Sequence, residues 1–172
     1  MLAAGSAWRI LEAEHTQLRQ IMADIARMLD DGAWKRPGPR LDSLRGLIHK
    51  FQDFETRTHR PKGVVLLGAT RGRLPEADRL LDVLEHDGQR CEELLNQALD
   101  LLRAVEAGGE AEAGGVATLL REHRELMTLQ LDQEDTALRA YTAQLLTSEE
   151  WSRVVSSISR EVRNVKGRPG GK

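Results

Sequence analysis

The chain has 172 residues, a formal charge of −2, 30% charged residues and only 3% aromatic ones. That length fits one domain with a full core, and its basic stretches (Lys35-Arg36, and residues 160–172) lack the flanking aromatics of a nucleic-acid surface. The near-neutral charge likewise gives no reason to expect an anionic membrane as partner, and the single cysteine, Cys91, excludes an internal disulfide and a cysteine zinc cluster.

Leucine dominates the apolar residues, and strands would ask for more Val, Ile, Thr and Tyr, so the composition points to an all-α protein. No apolar run reaches the roughly 18 residues of a membrane span, and the N-terminus lacks a basic segment followed by a hydrophobic one. A cytoplasmic location is expected.

The first helix covers about residues 6–30 and stops at Asp31-Gly32. Its Leu11, His15, Leu18, Met22, Ile25 and Leu29 recur at alternating spacings of four and three, the buried seam of an amphipathic helix with one histidine inside it. Residues 32–40, with Pro37, Gly38 and Pro39, read as a loop. The second helix begins near Leu41 or Asp42 and turns Leu44, Leu47, Ile48, Phe51 and Phe54 inward. Pro61 kinks or ends it, with Arg60 biased away from helical angles. An apolar stretch over 64–67 precedes a turn over 68–75.

The third helix, about 76–107, carries an apolar stripe through Leu80, Leu81, Leu84, Cys91, Leu94, Leu95, Ala98 and Leu102, which makes Cys91 a small core residue. Residues 108–115 form a flexible connection. The fourth helix, about 116–146, presents Leu120, His123, Met127, Gln130, Glu134, Leu138, Tyr141 and Leu145 on one face. Thr147-Ser148-Glu149-Glu150 is a capping-box pattern, after which Trp151 opens a short fifth helix with Val154, Val155 and Ile158. Residues 1–165 thus read as one domain, an up-down four-helix bundle with a short C-terminal helix, and 166–172 as a disordered tail.

Four polar residues, His15, His59, Gln130 and Glu134, fall where a bundle should place leucine. Burying an imidazole without a partner costs roughly 1–3 kcal/mol, so it asks for an acceptor, a charge or a metal. Helical bundles hold metal ions with His and carboxylate side chains projecting into their cores. Such ligands suit iron, zinc or manganese, and iron with open positions binds oxygen or nitric oxide.

In these features the chain resembles the hemerythrin-like, or HHE cation-binding, domains. The resemblance rests on Glu14-His15, on His59-Arg60-Pro61-Lys62-Gly63, which is similar to the family's HHPKE, and on Leu84-Glu85-His86-Asp87. Further along, Gln130-Leu131-Asp132-Gln133-Glu134-Asp135 is similar to HMxxEE, and Leu146-Thr147-Ser148-Glu149-Glu150-Trp151 to the final turn and helix. The resemblance implies a four-helix bundle with a non-haem di-iron centre, serving in oxygen binding, in sensing of oxygen, nitric oxide or iron, and occasionally in oxidative chemistry. Carried over by position, the metal ligands are His15, His59 and Glu134, with the third helix supplying His86 by residue type or Asp87 by helical phase.

Two positions depart from the family pattern. Gly63 stands four residues after His59 where a glutamate belongs, and Gln130 stands four before Glu134 where a histidine belongs. Glycine has no ligating side chain and a neutral amide is a poor iron ligand, so the set suffices for one iron and is short for two. Glu55, one turn before His59, is a substitute ligand or a solvent-facing carboxylate. His123 faces inward in its own structural hydrogen bond, while His49 and Lys62 are solvated.

The expected function is therefore an iron-binding protein with a binding or sensing role for a small diatomic ligand, as a monomer or homodimer. The alternative is a metal-free interaction or dimerisation module in which His15, Gln130 and Glu134 form a hydrogen-bonded core network. Oxidase or peroxidase chemistry has no substrate-pocket signature in the chain, and no enzyme is expected.

Overall fold

The computed structural model describes residues 2–166, with side chains to residue 163; the tail expected to be disordered lies outside the described residues from Gly167 onward. Among the described residues the chain forms five helical rods and no strand, as the all-α expectation requires.

Helix α1 (Leu2–Asp31) buries the whole expected seam, His15 included. It ends where Gly32 takes φ +71°, a left-handed conformation that costs glycine little and other residues more. The stretch expected as a plain loop does more. Trp34, in a single 3₁₀ turn (Ala33–Lys35), is fully buried, and its indole N–H donates to the Leu29 carbonyl at 3.3 Å.

Helices α2 (Pro39–Phe54) and α3 (Arg60–Thr70) are joined by a π-turn (Glu55–His59), so Pro61 neither ends nor breaks the rod. Arg60 keeps helical angles, φ −53° and ψ −43°, and its N–H bonds to the Glu55 carbonyl five residues back. The missing N–H of Pro61 falls just where the ladder changes register, which removes much of the usual penalty. A π-turn holds one residue more than an α-turn, so the inward face advances by one position. Beyond Phe51 the buried residues are His59, Lys62, Leu66 and Thr70, while Val64 in the expected apolar stretch is 60% exposed.

Helix α4 (Pro75–Glu106) and helix α5 (Ala113–Gln133) follow. A second π-turn (Glu134–Leu138) leads into α6 (Arg139–Leu145) and shifts the face again. Leu138, Thr142 and Leu146 are buried there, whereas Tyr141 and Leu145, expected inward from an unbroken period, are only half-buried.

The last helix, α7 (Ser148–Lys166), runs 19 residues and is not short. Its capping box is formed as read. Thr147 N–H donates to Glu150 Oε2 at 2.8 Å, and Glu150 N–H donates to Thr147 Oγ1 at 3.3 Å. The Arg73 guanidinium also pairs with Glu150, and together with the Thr147 bonds it lowers that carboxyl to about 2. Helix α7 packs on α3 with Trp151, Val154 and Ile158 buried.

The chain divides into two compact units. The first comprises residues up to Thr16, Asp53–Val83 and the residues from Asp132; the second comprises Gln17–Gln52 and Leu84–Leu131. Four of the five rods contribute residues to both. No helix among the described residues is long and apolar enough to cross a membrane.

Candidate metal centre

The first unit contains a buried polar cluster built on α1, the two π-turns and α3. His15 reaches it because α1 is continuous and its heptad-like seam points inward at that position. His59 is the last residue of the first π-turn, and Glu134 is the first residue of the second. The extra residue in each turn re-aims these side chains, a frequent use of π-turns at functional sites.

His15 Nε2 lies 3.0 Å from His59 Nε2 and 3.0 Å from Glu134 Oε2, and His59 Nε2 lies 3.4 Å from the same oxygen. The other nitrogen of each ring is held by a further carboxylate. His15 Nδ1 lies 2.6 Å from Asp135 Oδ1, and His59 Nδ1 lies 2.8 Å from Glu55 Oε2. Ionised carboxylates only accept, so both Nδ1 atoms carry the hydrogen and donate it outward. When each ring is neutral, its Nε2 keeps a lone pair, and the two lone pairs aim at one point. This is how carboxylates orient metal-ligating histidines.

Where the rings hold no cation, protons on the Nε2 atoms bridge to Glu134 instead. Burial alone would push the His59 imidazole down, but the charge of Glu55 and the hydrogen bond that the ring donates to Glu134 outweigh it and hold the group well above the usual range. Burial alone would raise Glu134, yet the hydrogen bonds of His15 and His59 hold it well below the usual carboxylate range. Two facing lone pairs 3.0 Å apart repel unless a proton or a cation lies between them.

The residues fit a metal ion. An ion about 2.1 Å from each of three ligand atoms in adjacent octahedral positions sets those atoms about 3.0 Å apart. The three edges here are 3.0, 3.0 and 3.4 Å. Two imidazoles and one carboxylate on one face form the donor set of non-haem Fe(II) sites with open positions.

A hemerythrin HHE cation binding domain model matches residues 6–154. The chain belongs to this family. No curated protein and no solved structure matches it. The bundle read from the sequence is thus the architecture of the hemerythrin HHE family, and a cation-binding role follows at that coarse level.

Of the ligands expected for this hemerythrin HHE domain, the fold brings together His15, His59 and Glu134, the group among the described residues that can converge on an ion. The third helix adds none to that group. His86 is 81% exposed, and Asp87, at 16%, lies on the inner side as helical phase requires and within 3.4 Å of His86 Nδ1. Gly63 contributes no side chain, and Gln130 is buried in the second unit.

Three residues have roles that the sequence reading missed. Glu55 is not solvent-facing; it braces His59 from one turn away, an i,i+4 spacing that could have revealed it. Asp135 braces His15 from the position next to Glu134, inside the second π-turn, where a plain α-helical period gives no sign of it. Lys62 is not solvated. At 1% exposure it pairs with Glu14 and donates to the Thr58 carbonyl at 2.5 Å. Burial raises the Glu14 carboxyl, an effect that Lys62 only partly offsets.

Proposed function

We propose that this hemerythrin HHE domain holds a single iron ion on His15, His59 and Glu134 and serves to bind or sense a small diatomic ligand. The observation that carries the reading is the convergence of two Nε2 atoms and one carboxylate oxygen, with each Nδ1 braced by its own acid. Iron so held supplies open coordination positions to oxygen or nitric oxide. The protein's part is to fix the two tautomers, to keep Glu134 ionised and to bury the imidazoles.

Neither Gly63 nor Gln130 offers an imidazole or carboxylate for a second ion, which favours one iron over two. Binding or sensing is proposed over enzymatic turnover, because the residues flanking the trio are engaged in bracing it. Protein purified from iron-replete cells is expected to carry about one iron per chain. A His15→Ala/Glu134→Ala variant is expected to carry almost none. Equally negligible metal in both proteins would overturn the reading.

One observation favours a second reading, a metal-free interaction module. The raised His59 imidazole can close the trio with a proton in place of a cation. Under that reading a chelator leaves the thermal stability of the purified protein unchanged; a marked chelator-sensitive drop excludes it.

A further inference from the structure

The second π-turn and the helix it leads into offer two inward faces on one stretch of chain. As folded, the Arg139 N–H bonds to the Glu134 carbonyl five residues back, and Leu138, Thr142 and Leu146 are buried. An unbroken α-helix through the same residues would carry the stripe of Met127, Gln130, Glu134 and Leu138 on to Tyr141 and Leu145. That alternative face is the more apolar one. It turns a tyrosine inward where the π register buries Thr142, whose hydroxyl folds back on the Arg139 carbonyl at 3.0 Å. The π register is held from the other side. Glu134 and Asp135, the first two residues of the turn, both bond to His15, at 3.0 and 2.6 Å. The first π-turn has no such choice, because Pro61 follows it, and in an unbroken α-helix the proline ring would strike the Arg57 carbonyl.

We infer that the second π-turn is a hinge with two registers, π while an ion sits on Glu134 and α when the ion leaves, and that it carries the occupancy of the centre to α6 and α7. The inference rests on the proposed metal site and adds its output. An ion moves such an equilibrium only if it prefers one register. Here it prefers the π register, because rewinding the turn rotates the residues after Glu134 and takes Asp135 off the ring it orients. The same rewinding turns α6 by about one residue, roughly 100°, and exchanges Thr142 and Leu146 for Tyr141 and Leu145. Arg73 donates to the Leu145 carbonyl at 3.3 Å and also pairs with Glu150, so the rotation reaches the start of α7.

Tyr141 is the single tyrosine of the chain, so the full chain labelled with fluorotyrosine gives one fluorine resonance that reports the register. Zinc is the probe, since it is diamagnetic and takes the same imidazole and carboxylate donors. Without metal the resonance is expected to move little between light and heavy water, as a buried ring does, and saturation with zinc is expected to enlarge that solvent shift. Thr142→Val adds an apolar group to the π face, and Leu145→Gln removes one from the α face. Both variants are therefore expected to show the zinc-bound resonance before zinc is added, and to bind zinc about three- to tenfold more tightly by calorimetry. Mere damage to the fold would not tighten binding. Zinc binding with an unchanged solvent shift overturns the inference and leaves the metal site standing, as does wild-type zinc affinity in either variant. A wild type that binds no zinc overturns it too, and the iron content of the purified protein then decides the site separately.

Discussion

The two compact units draw on the same helical rods but bury different chemistry. The second closes on Leu18, Ile25, Trp34, Leu44, Leu94 and Val116, with His123 set edge-on to Phe51 at 4.8 Å between ring centroids. Nothing hydrogen-bonds His123 Nε2 among the described residues, and burial pushes this imidazole down to about 4. The first unit buries His59 just as deeply, yet there Glu55 and Glu134 drive the group up. The pair of histidines shows that burial alone does not set an imidazole's charge. Where desolvation acts unopposed the ring is neutral packing, and where carboxylates face it the ring holds a proton or a cation.

The contrast predicts separable responses, the largest of them in packing. Trp34→Ala in the second unit is expected to cost about 3–5 kcal/mol, and by the same amount with or without chelator, measured by urea denaturation. A cost that depends on the chelator would break the separation between the units. Next in size, removing the metal should lower stability by about 3 kcal/mol if the free ion had been near 100 times its Kd. This loss should vanish in Glu134→Ala, which has no ion to lose; an equal loss in that variant would place the metal elsewhere.

The third response sharpens the comparison of the histidines. His123 has a folded-state value of about 4 against an ordinary 6.5, so below pH 6.5 the unfolded chain binds the extra proton. Its contribution is fully present above pH 6.5 and is lost as pH falls toward 4, giving a drop of roughly 2 kcal/mol between pH 7 and pH 5. His123→Leu should remove that part of the pH slope, and an unchanged slope would show that His123 does not cause it. Smallest is Thr147→Ala, which deletes half of the capping box and should cost about 1 kcal/mol in thermal denaturation. A change near zero would mean that the Arg73–Glu150 pair alone fixes the start of α7.

Much of this was legible residue by residue. The seam from Leu11 to Leu29 announced α1 and the burial of His15, and Thr147 with Glu150 announced the start of α7. His59 and Glu134 stood out as polar residues at apolar positions. The faces beyond residues 59 and 134 depart from an unbroken helical period for one reason. A hydrophobic period assumes about 100° per residue, and a π-turn inserts one residue without leaving a mark in composition. An unbroken period therefore puts Tyr141 and Leu145 inward where Thr142 and Leu146 are buried, and it gives no sign of the burial of Lys62.

The sequence by itself determined the all-α class, the seams of the helices and the residue types able to ligate a cation, because these follow from side-chain chemistry and local period. Only the tertiary structure decided that Asp135 braces His15 and that an ammonium is buried beside the trio. Those outcomes depend on the register of two π-turns and on which charges meet across helices when water is excluded. Neither is encoded within the span of a single helical turn.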